Sequence, residues 1–367
     1  MAVRIALIST AAPGSLGSMS AYAALVHSAL TRHARDMEVV PVCVLPAGRG
    51  ARPRLPGRLA MLMEMHQARE TARTCRADVY HLLDASHAYM ADTLPPSRTV
   101  ATVHDLIPSL QALGRFPVRQ PGWAARWLIR RSLSFVRRVG AVAAVSQSTA
   151  NDLAAIAGRQ ADAVIYLPLR ATATSGNKDA APIDGEAKPQ PHVLHVGNNG
   201  FYKNRVGVLR IFAAMQARQP ELRLTLAGPE PDAAQTALLE SLGLRSCVRY
   251  AVNPSDADIE SLYRNAGLLL FPSLYEGYGW PPLEALQQGC PVVCANTGSL
   301  PEVVGDAALF ADPADTEQFA VQALRVLNEP ELAATLLARG RARLAGLTLE
   351  RMASQLLPLY QQVASAR

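Results

Sequence analysis

Short runs of apolar residues punctuate this chain, and between them apolar positions recur every three or four residues. In the first half the runs are Arg4–Ser9, Glu38–Leu45, Val79–Leu83, Thr99–His104, Ala141–Val145 and Ala163–Leu167. Helical spacing marks stretches between them, including Ser20–Arg32 and Leu59–Thr74. Continuous apolar strands alternating with amphipathic helices predict a parallel sheet covered on both faces. From Ala171 to Gln190 the chain turns to small and polar residues with prolines, which predicts an interdomain linker or exposed loop. The alternation then restarts with His192–Val196, Arg223–Ala227, Val248–Val252, Gly267–Phe271, Pro291–Ala295 and Ala308–Phe310. This restart predicts a second doubly wound α/β domain. The expected boundaries are 1–170, a linker at 171–190, 191–345, and a terminal segment 346–367 whose helix covers roughly Glu350–Val363.

The length of 367 residues, nearly half of them apolar, suits two buried cores better than one. The start Met1–Ser9 is too short and too soon interrupted for a secretory signal, and no apolar run approaches the ~20 residues of a membrane span. The expectation is a cytoplasmic protein. The five cysteines form no zinc-like pattern and read as reduced, buried residues.

A formal charge of +6 points to nucleic acid, an anionic membrane surface or an anionic small substrate. No zinc finger, ribonucleoprotein signature or basic tail supports nucleic acid. Two basic segments stand out, a Pro/Gly-rich loop at Arg49–Arg58 and a helix at Trp123–Arg138. On that helix Arg126, Arg130 and Arg137 are expected on one side, with Ala125, Leu128, Ser132, Phe135 and Val139 on the other. Two readings stay open: a core helix with a solvated face, or a docking surface for anionic lipid headgroups.

In doubly wound sheets ligands bind outside the carboxyl ends of the strands, where helix N-termini favour phosphate. The segment Ser273-Leu-Tyr-Glu276-Gly277-Tyr278-Gly279-Trp280-Pro-Pro-Leu-Glu284 lies at such a junction. Two carboxylates separated by seven residues there suit a ligand with both hydroxyls and phosphate, the alternative being solvated or capping glutamates. Lys203 follows the turn after Gly197 and opens a helix, where its ammonium can reinforce backbone N–H groups against a diphosphate. Asp256-Ala-Asp258 reads as helix capping and not as a metal site; no other cluster suggests a metal.

These stretches together resemble the retaining glycosyltransferases of the two-domain GT-B fold, in the family called GT4. The resemblance rests on the Glu276-x7-Glu284 motif and the first loop Pro13-Gly14-Ser-Leu-Gly17. It rests also on Thr102-Val-His104-Asp105-Leu-Ile-Pro108, Val145-Ser-Gln-Ser148 with Asp152, His195-Val-Gly197-Asn198-Asn-Gly-Phe-Tyr-Lys203-Asn and Leu226-Ala-Gly228-Pro. It implies two facing Rossmann-like domains with a cleft between them and a terminal helix crossing back to the first. It further implies that Glu284 takes the ribose, that Glu276 approaches the donor sugar, that Lys203 takes phosphate and that His104 nears the breaking bond. Gly14, Gly17, Gly197, Asn198, Gly277, Tyr278 and Gly279 would line the donor. Relatives often carry an Arg where this chain has Asn198 or Asn199, and another where Tyr202 precedes Lys203, which leaves the second phosphate cation open; Arg205 is nearby in sequence. Trp280 reads as a hydrophobic plug or a sugar contact.

The implied reaction moves a sugar with retention from a nucleoside-diphosphate sugar to a glycan or lipid-linked acceptor. No cofactor or metal would be needed. Bacterial surface-polysaccharide synthesis is the implied setting, with mannose a candidate sugar. A sugar-nucleotide epimerase of the same architecture and a non-catalytic anion- or membrane-binding protein are the alternatives.

Overall fold

The computed structural model describes residues 3–10, 17–34, 36–45, 57–170 and 192–365. The linker expected at 171–190, most of the basic loop from 49, and Gly14 lie outside the described residues. The chain divides into two compact units, residues 1–168 with 347–367, and residues 169–346.

In the first unit six parallel strands form one sheet: β1 Val3–Ser9, β2 Met37–Cys43, β3 Val79–Leu82, β4 Thr99–Val103, β5 Ala141–Ala144 and β6 Ala163–Val164. Their order is β2-β1-β3-β4-β5-β6. Every residue of β3, β4 and β5 is buried, as continuous Val/Ala/Thr runs covered on both faces require. Pro41 has no N–H to give a ladder, and it sits on β2, an edge strand. The helix Leu349–Ser365 packs on the helix Ser18–His33 and on β4 and β5. Its Met352, Leu356, Leu359, Tyr360 and Val363 recur at three- and four-residue spacing and are all buried.

The second unit repeats the plan with β7 His192–Val196, β8 Arg223–Gly228, β9 Val248–Val252, β10 Leu268–Phe271, β11 Val292–Ala295 and β12 Leu309–Ala311. The order is β12-β11-β10-β7-β8-β9, all parallel. From β7 the chain winds to one side and from β10 to the other, so the two loops leaving these neighbouring strands part and open a crevice at their carboxyl ends. Helices enter with side-chain caps: Asn204 accepts from Gly207 N–H, and Ser255 with Asp258 forms a capping box.

Candidate functional site

The loops after β7 and β10 meet at this crevice. Leu274 N–H donates to Tyr202 O at 2.7 Å and Asn204 Nδ2 donates to Pro272 O at 2.9 Å, stitching one loop to the other. Across this seam Lys203 Nζ donates to both Glu276 oxygens, at 2.8 and 3.0 Å. The two side chains are only 12% and 8% exposed, so the pair is largely desolvated. The ammonium also lies 5.2 Å from the centre of the Phe271 ring.

Two glycines make the close approaches possible. A Cβ on Gly228, whose φ is 144°, would stand 2.1 Å from Gly197 O. One on Gly298, with φ 57°, would stand 2.6 Å from Glu276 O. Next to Gly298, Ser299 N–H donates to Glu276 O at 3.1 Å and its hydroxyl to Tyr278 O at 2.7 Å. The turn carrying Glu276 is therefore fixed from behind by the loop after β11.

Glu284 rises from the helix Trp280–Gln287, one turn after Trp280. Arg170 Nη2 donates to its Oε1 at 2.7 Å, and the buried Tyr263 hydroxyl donates to its Oε2 at 3.2 Å. Sequence reasoning missed both partners. Tyr263 looks like any core aromatic of the helix Asp256–Asn265, and Arg170 stands 114 positions away at the rim of the expected linker. Asp256 accepts from Arg170 Nη1 at 3.3 Å, while Asp258 caps its helix, the role read for it from sequence. Among the described residues no group of three or more His, Cys, Asp or Glu side chains is arranged to hold a metal ion.

Asn198 and Tyr278, also expected at the donor, belong to the same two loops of the second unit. Asn198 folds onto its own loop, its Oδ1 accepting from Gly200 N–H at 2.8 Å. Tyr278 and Trp280 are buried and meet edge to face at 6.5 Å, so Trp280 acts as packing, and its indole nitrogen has no partner among the described residues. Arg205 is buried too, donating to Asn199 Oδ1 and to Pro229 O and lying over the Tyr250 ring, with Nε and Nη2 unpartnered among the described residues. His195, beneath Gly197, donates through Nδ1 to Leu270 O at 3.0 Å, and burial pushes its pKa down to about 3.

His104 belongs to the first unit, immediately after β4. Its Nε2 lies 2.8 Å from Leu83 O; a carbonyl only accepts, so Nε2 carries the proton and Nδ1 is left as the acceptor. Burial lowers its pKa, against the nearby Asp84 charge and the Leu83 hydrogen bond. The Tyr22 ring packs edge-on against it at 4.5 Å. A buried chain of hydrogen bonds, each 2.8 Å, runs from Tyr22 OH through Thr102 Oγ1 and His81 to Tyr360 OH on the terminal helix. Asp105 accepts from Ile107 N–H, a turn residue. Of the first loop, Gly17 is described and adopts φ 125° just before the helix Ser18–His33.

The basic helix keeps its expected buried side at Ser132 and Phe135, with Val139 just beyond it, and exposes Arg130, but it differs from expectation at both ends. The helix spans Trp123–Val136, so Arg137 lies past its end, its Nε donating to Ala157 O at 2.6 Å. Arg126 folds back onto Pro121 O, and Ala125 is exposed. The long arginine stems reach local carbonyls and anions, Arg131 pairing with Asp92, so the outward stripe is Trp123, Trp127, Arg130 and Ser134.

Comparison with known proteins adds a family to this geometry. A model described as Glycosyltransferase Family 4 matches residues 23–168, and one described as Glycosyl transferases group 1 matches residues 177–343. The chain is 34% identical over 176 residues to O-antigen chain mannosyltransferase B of Escherichia coli, covering 47% of this chain and 46% of that protein. It is 28% identical to the MMP alpha-(1->4)-mannosyltransferase of Mycolicibacterium hassiacum, covering 65% of this chain and 61% of the relative. These similarities span about half to three fifths of the relatives' lengths. In fold the chain is similar over its whole length to sucrose-phosphate synthase from Thermosynechococcus elongatus, with a TM-score of 0.75 at 19% identity.

Proposed function

Since the chain belongs to the GT4-type glycosyltransferases of GT-B fold, we propose that it moves a sugar from a nucleoside-diphosphate sugar to a glycan or lipid-linked acceptor in bacterial polysaccharide synthesis. The observation that carries this reading is the Lys203–Glu276 pair across the loops after β7 and β10, with Glu284 on the helix that follows the second loop. Mannosyl transfer is the first candidate, because the relatives named above are mannosyltransferases.

In this reading the diphosphate takes Lys203 and the glycine-lined turns, the ribose takes Glu284, and Glu276 meets hydroxyls of the sugar. The bond between the anomeric carbon and the phosphate oxygen breaks with its electron pair going to phosphate. The acceptor oxygen bonds to that carbon from the same face, and its proton passes to the leaving phosphate. Charge growing on the leaving group is stabilised by an ammonium already fixed in a mostly dry site, which is where electrostatic stabilisation is strongest. Leaving-group activation is thereby assigned to Lys203 and backbone N–H groups, with no metal. His104, neutral and oriented by Leu83 O, is assigned to the transferred sugar.

A membrane surface is proposed as a further partner. Between Asp105 and Asp152 the chain carries seven arginines and no acidic residue, and Trp123 and Trp127 stand 78% and 51% exposed on one helix face. Indole rings beside arginine suit the headgroup layer of an anionic bilayer. Among the described residues no helix is long and apolar enough to cross a membrane.

Thermal-shift measurements against a panel of nucleotide sugars test the donor assignment, since a ligand that binds only the folded state raises stability by mass action. A melting temperature raised by one nucleotide family is expected. An unchanged midpoint with every member of the panel, each at millimolar concentration, contradicts it.

A further inference from the structure

We propose that Arg170 and Tyr263 are positioning residues that present the Glu284 carboxylate to a vicinal diol, so that the site selects ribose over 2′-deoxyribose. The inference rests on the donor reading of the second unit and adds two residues to it.

The argument is a count of acceptor positions. A carboxylate offers about four lone-pair sites, two on each oxygen. Among the described residues one donor falls on each oxygen: Arg170 Nη2 on Oε1 at 2.7 Å and Tyr263 OH on Oε2 at 3.2 Å. One position per oxygen is left, side by side on a group that keeps 14% of its side chain exposed. Two adjacent hydroxyls fit this pair of positions, and a sugar that lacks one of them strands an acceptor in a largely buried site.

The two donors are themselves held. Arg170 also donates to Asp256 Oδ1 at 3.3 Å and lies 5.9 Å from the centre of the Trp280 ring, so its guanidinium is fixed on three sides. Tyr263 is fully buried in the last turn of its helix, and its hydroxyl has Glu284 as partner. Trp280 stands one turn before Glu284 on the same helix, and its ring carries the guanidinium of Arg170. Glu284 is thus fixed in rotation before any ligand arrives, as preorganised recognition requires.

The test compares binding of a nucleoside diphosphate and its 2′-deoxy counterpart, with the base taken from the panel above, to wild type, Tyr263→Phe and Arg170→Gln. Tyr263→Phe keeps the buried ring, and Arg170 is one third exposed, so both variants are expected to fold. Wild type should prefer the ribonucleotide by about tenfold or more, as sites built to bond a hydroxyl do. Each variant should narrow that ratio to about threefold or less while leaving the 2′-deoxy affinity nearly unchanged. A ratio that stays at the wild-type value in both variants overturns the proposal. So does tighter ribonucleotide binding by Arg170→Gln, which would make Arg170 an occupant of the ribose position. Failure of wild type to bind any nucleoside diphosphate removes the donor reading, and this one with it.

Discussion

Lys203 Nζ lies 2.8 Å from Glu276 Oε1, so the cation assigned to phosphate and the carboxylate assigned to sugar neutralise each other across two loops. Incoming phosphate must compete with Glu276 for the ammonium. Glu276→Gln, which removes the competing charge and keeps the shape, should therefore tighten binding of a nucleoside diphosphate while slowing transfer. Isothermal titration beside a transfer assay reads both effects. Weaker diphosphate binding by this variant would mean that Glu276 helps to hold the nucleotide.

Lys203→Met should weaken nucleoside diphosphate binding far more than nucleoside binding. The expected change in discrimination exceeds about tenfold, or ~1.4 kcal/mol. A smaller change would hand the phosphate role to another cation, with the buried Arg205 the first to examine.

Gly298→Ala tests how the Glu276 turn is fixed. The added Cβ would sit 2.6 Å from Glu276 O and 2.9 Å from Glu276 N, and φ 57° is strained for alanine. Transfer should fall by about tenfold or more as Glu276 leaves its position, the scale on which small misplacements act. Near-wild-type turnover would show that the loop relaxes at no functional cost.

Buried histidines set an acid limit to stability. Burial holds His81 and His195 at pKa values of about 3, one in each unit. Below pH ~6.5 the unfolded chain binds protons that the folded chain refuses, so stability is complete above that pH and falls toward pH 3. Each histidine should contribute a slope of about 1.4 kcal/mol per pH unit in that window. Denaturant midpoints at pH 7.5, 6 and 5 should fall, and His81→Gln should flatten the fall of the first unit. An unchanged slope in that variant would contradict the assignment.

Vesicle co-sedimentation tests the proposed membrane face. Replacing Trp123, Trp127 and Arg130 together by Ser, Ser and Gln should reduce pelleting with anionic vesicles and leave nucleotide binding intact. Raising the salt should weaken the wild-type interaction, because exposed charges are screened over about 10 Å at 0.1 M. Equal pelleting of both proteins, or none by either, would leave the helix a solvated face.

Much of this molecule was legible in its sequence because strands buried on both faces write themselves as unbroken apolar runs. The inner strands Val79–Leu82, Thr99–Val103, Ala141–Ala144, Leu268–Phe271 and Val292–Ala295 are such runs, buried at every position. The rim positions of Gly197, Lys203, Glu276 and Glu284 were legible for the same reason, since a residue just past a strand is placed by the strand. Partnerships across distant segments were not. Nothing in the local pattern around Arg170 or Tyr263 points to Glu284, because the order of the strands brings them together and no periodicity records that order. The faces of the basic helix were legible, with Ser132 and Phe135 buried and Arg130 exposed, but the reach of its arginines was not. Helical spacing predicts Cβ directions, but Arg126 and Arg137 follow the nearest carbonyl, leaving two tryptophans outward.

The central claim is that the carboxylates after β10 serve a sugar-nucleotide transfer and divide the work between them. Steady-state transfer kinetics of wild type, Glu284→Ala and Glu276→Ala test it most directly, with nucleoside diphosphate release and the anomeric configuration of the product both recorded. Glu284→Ala should raise the donor KM, Glu276→Ala should mainly lower kcat, and wild type should give a transferred sugar of retained configuration. Near-wild-type kinetics in both variants, or a free epimer formed from donor alone, would contradict the account.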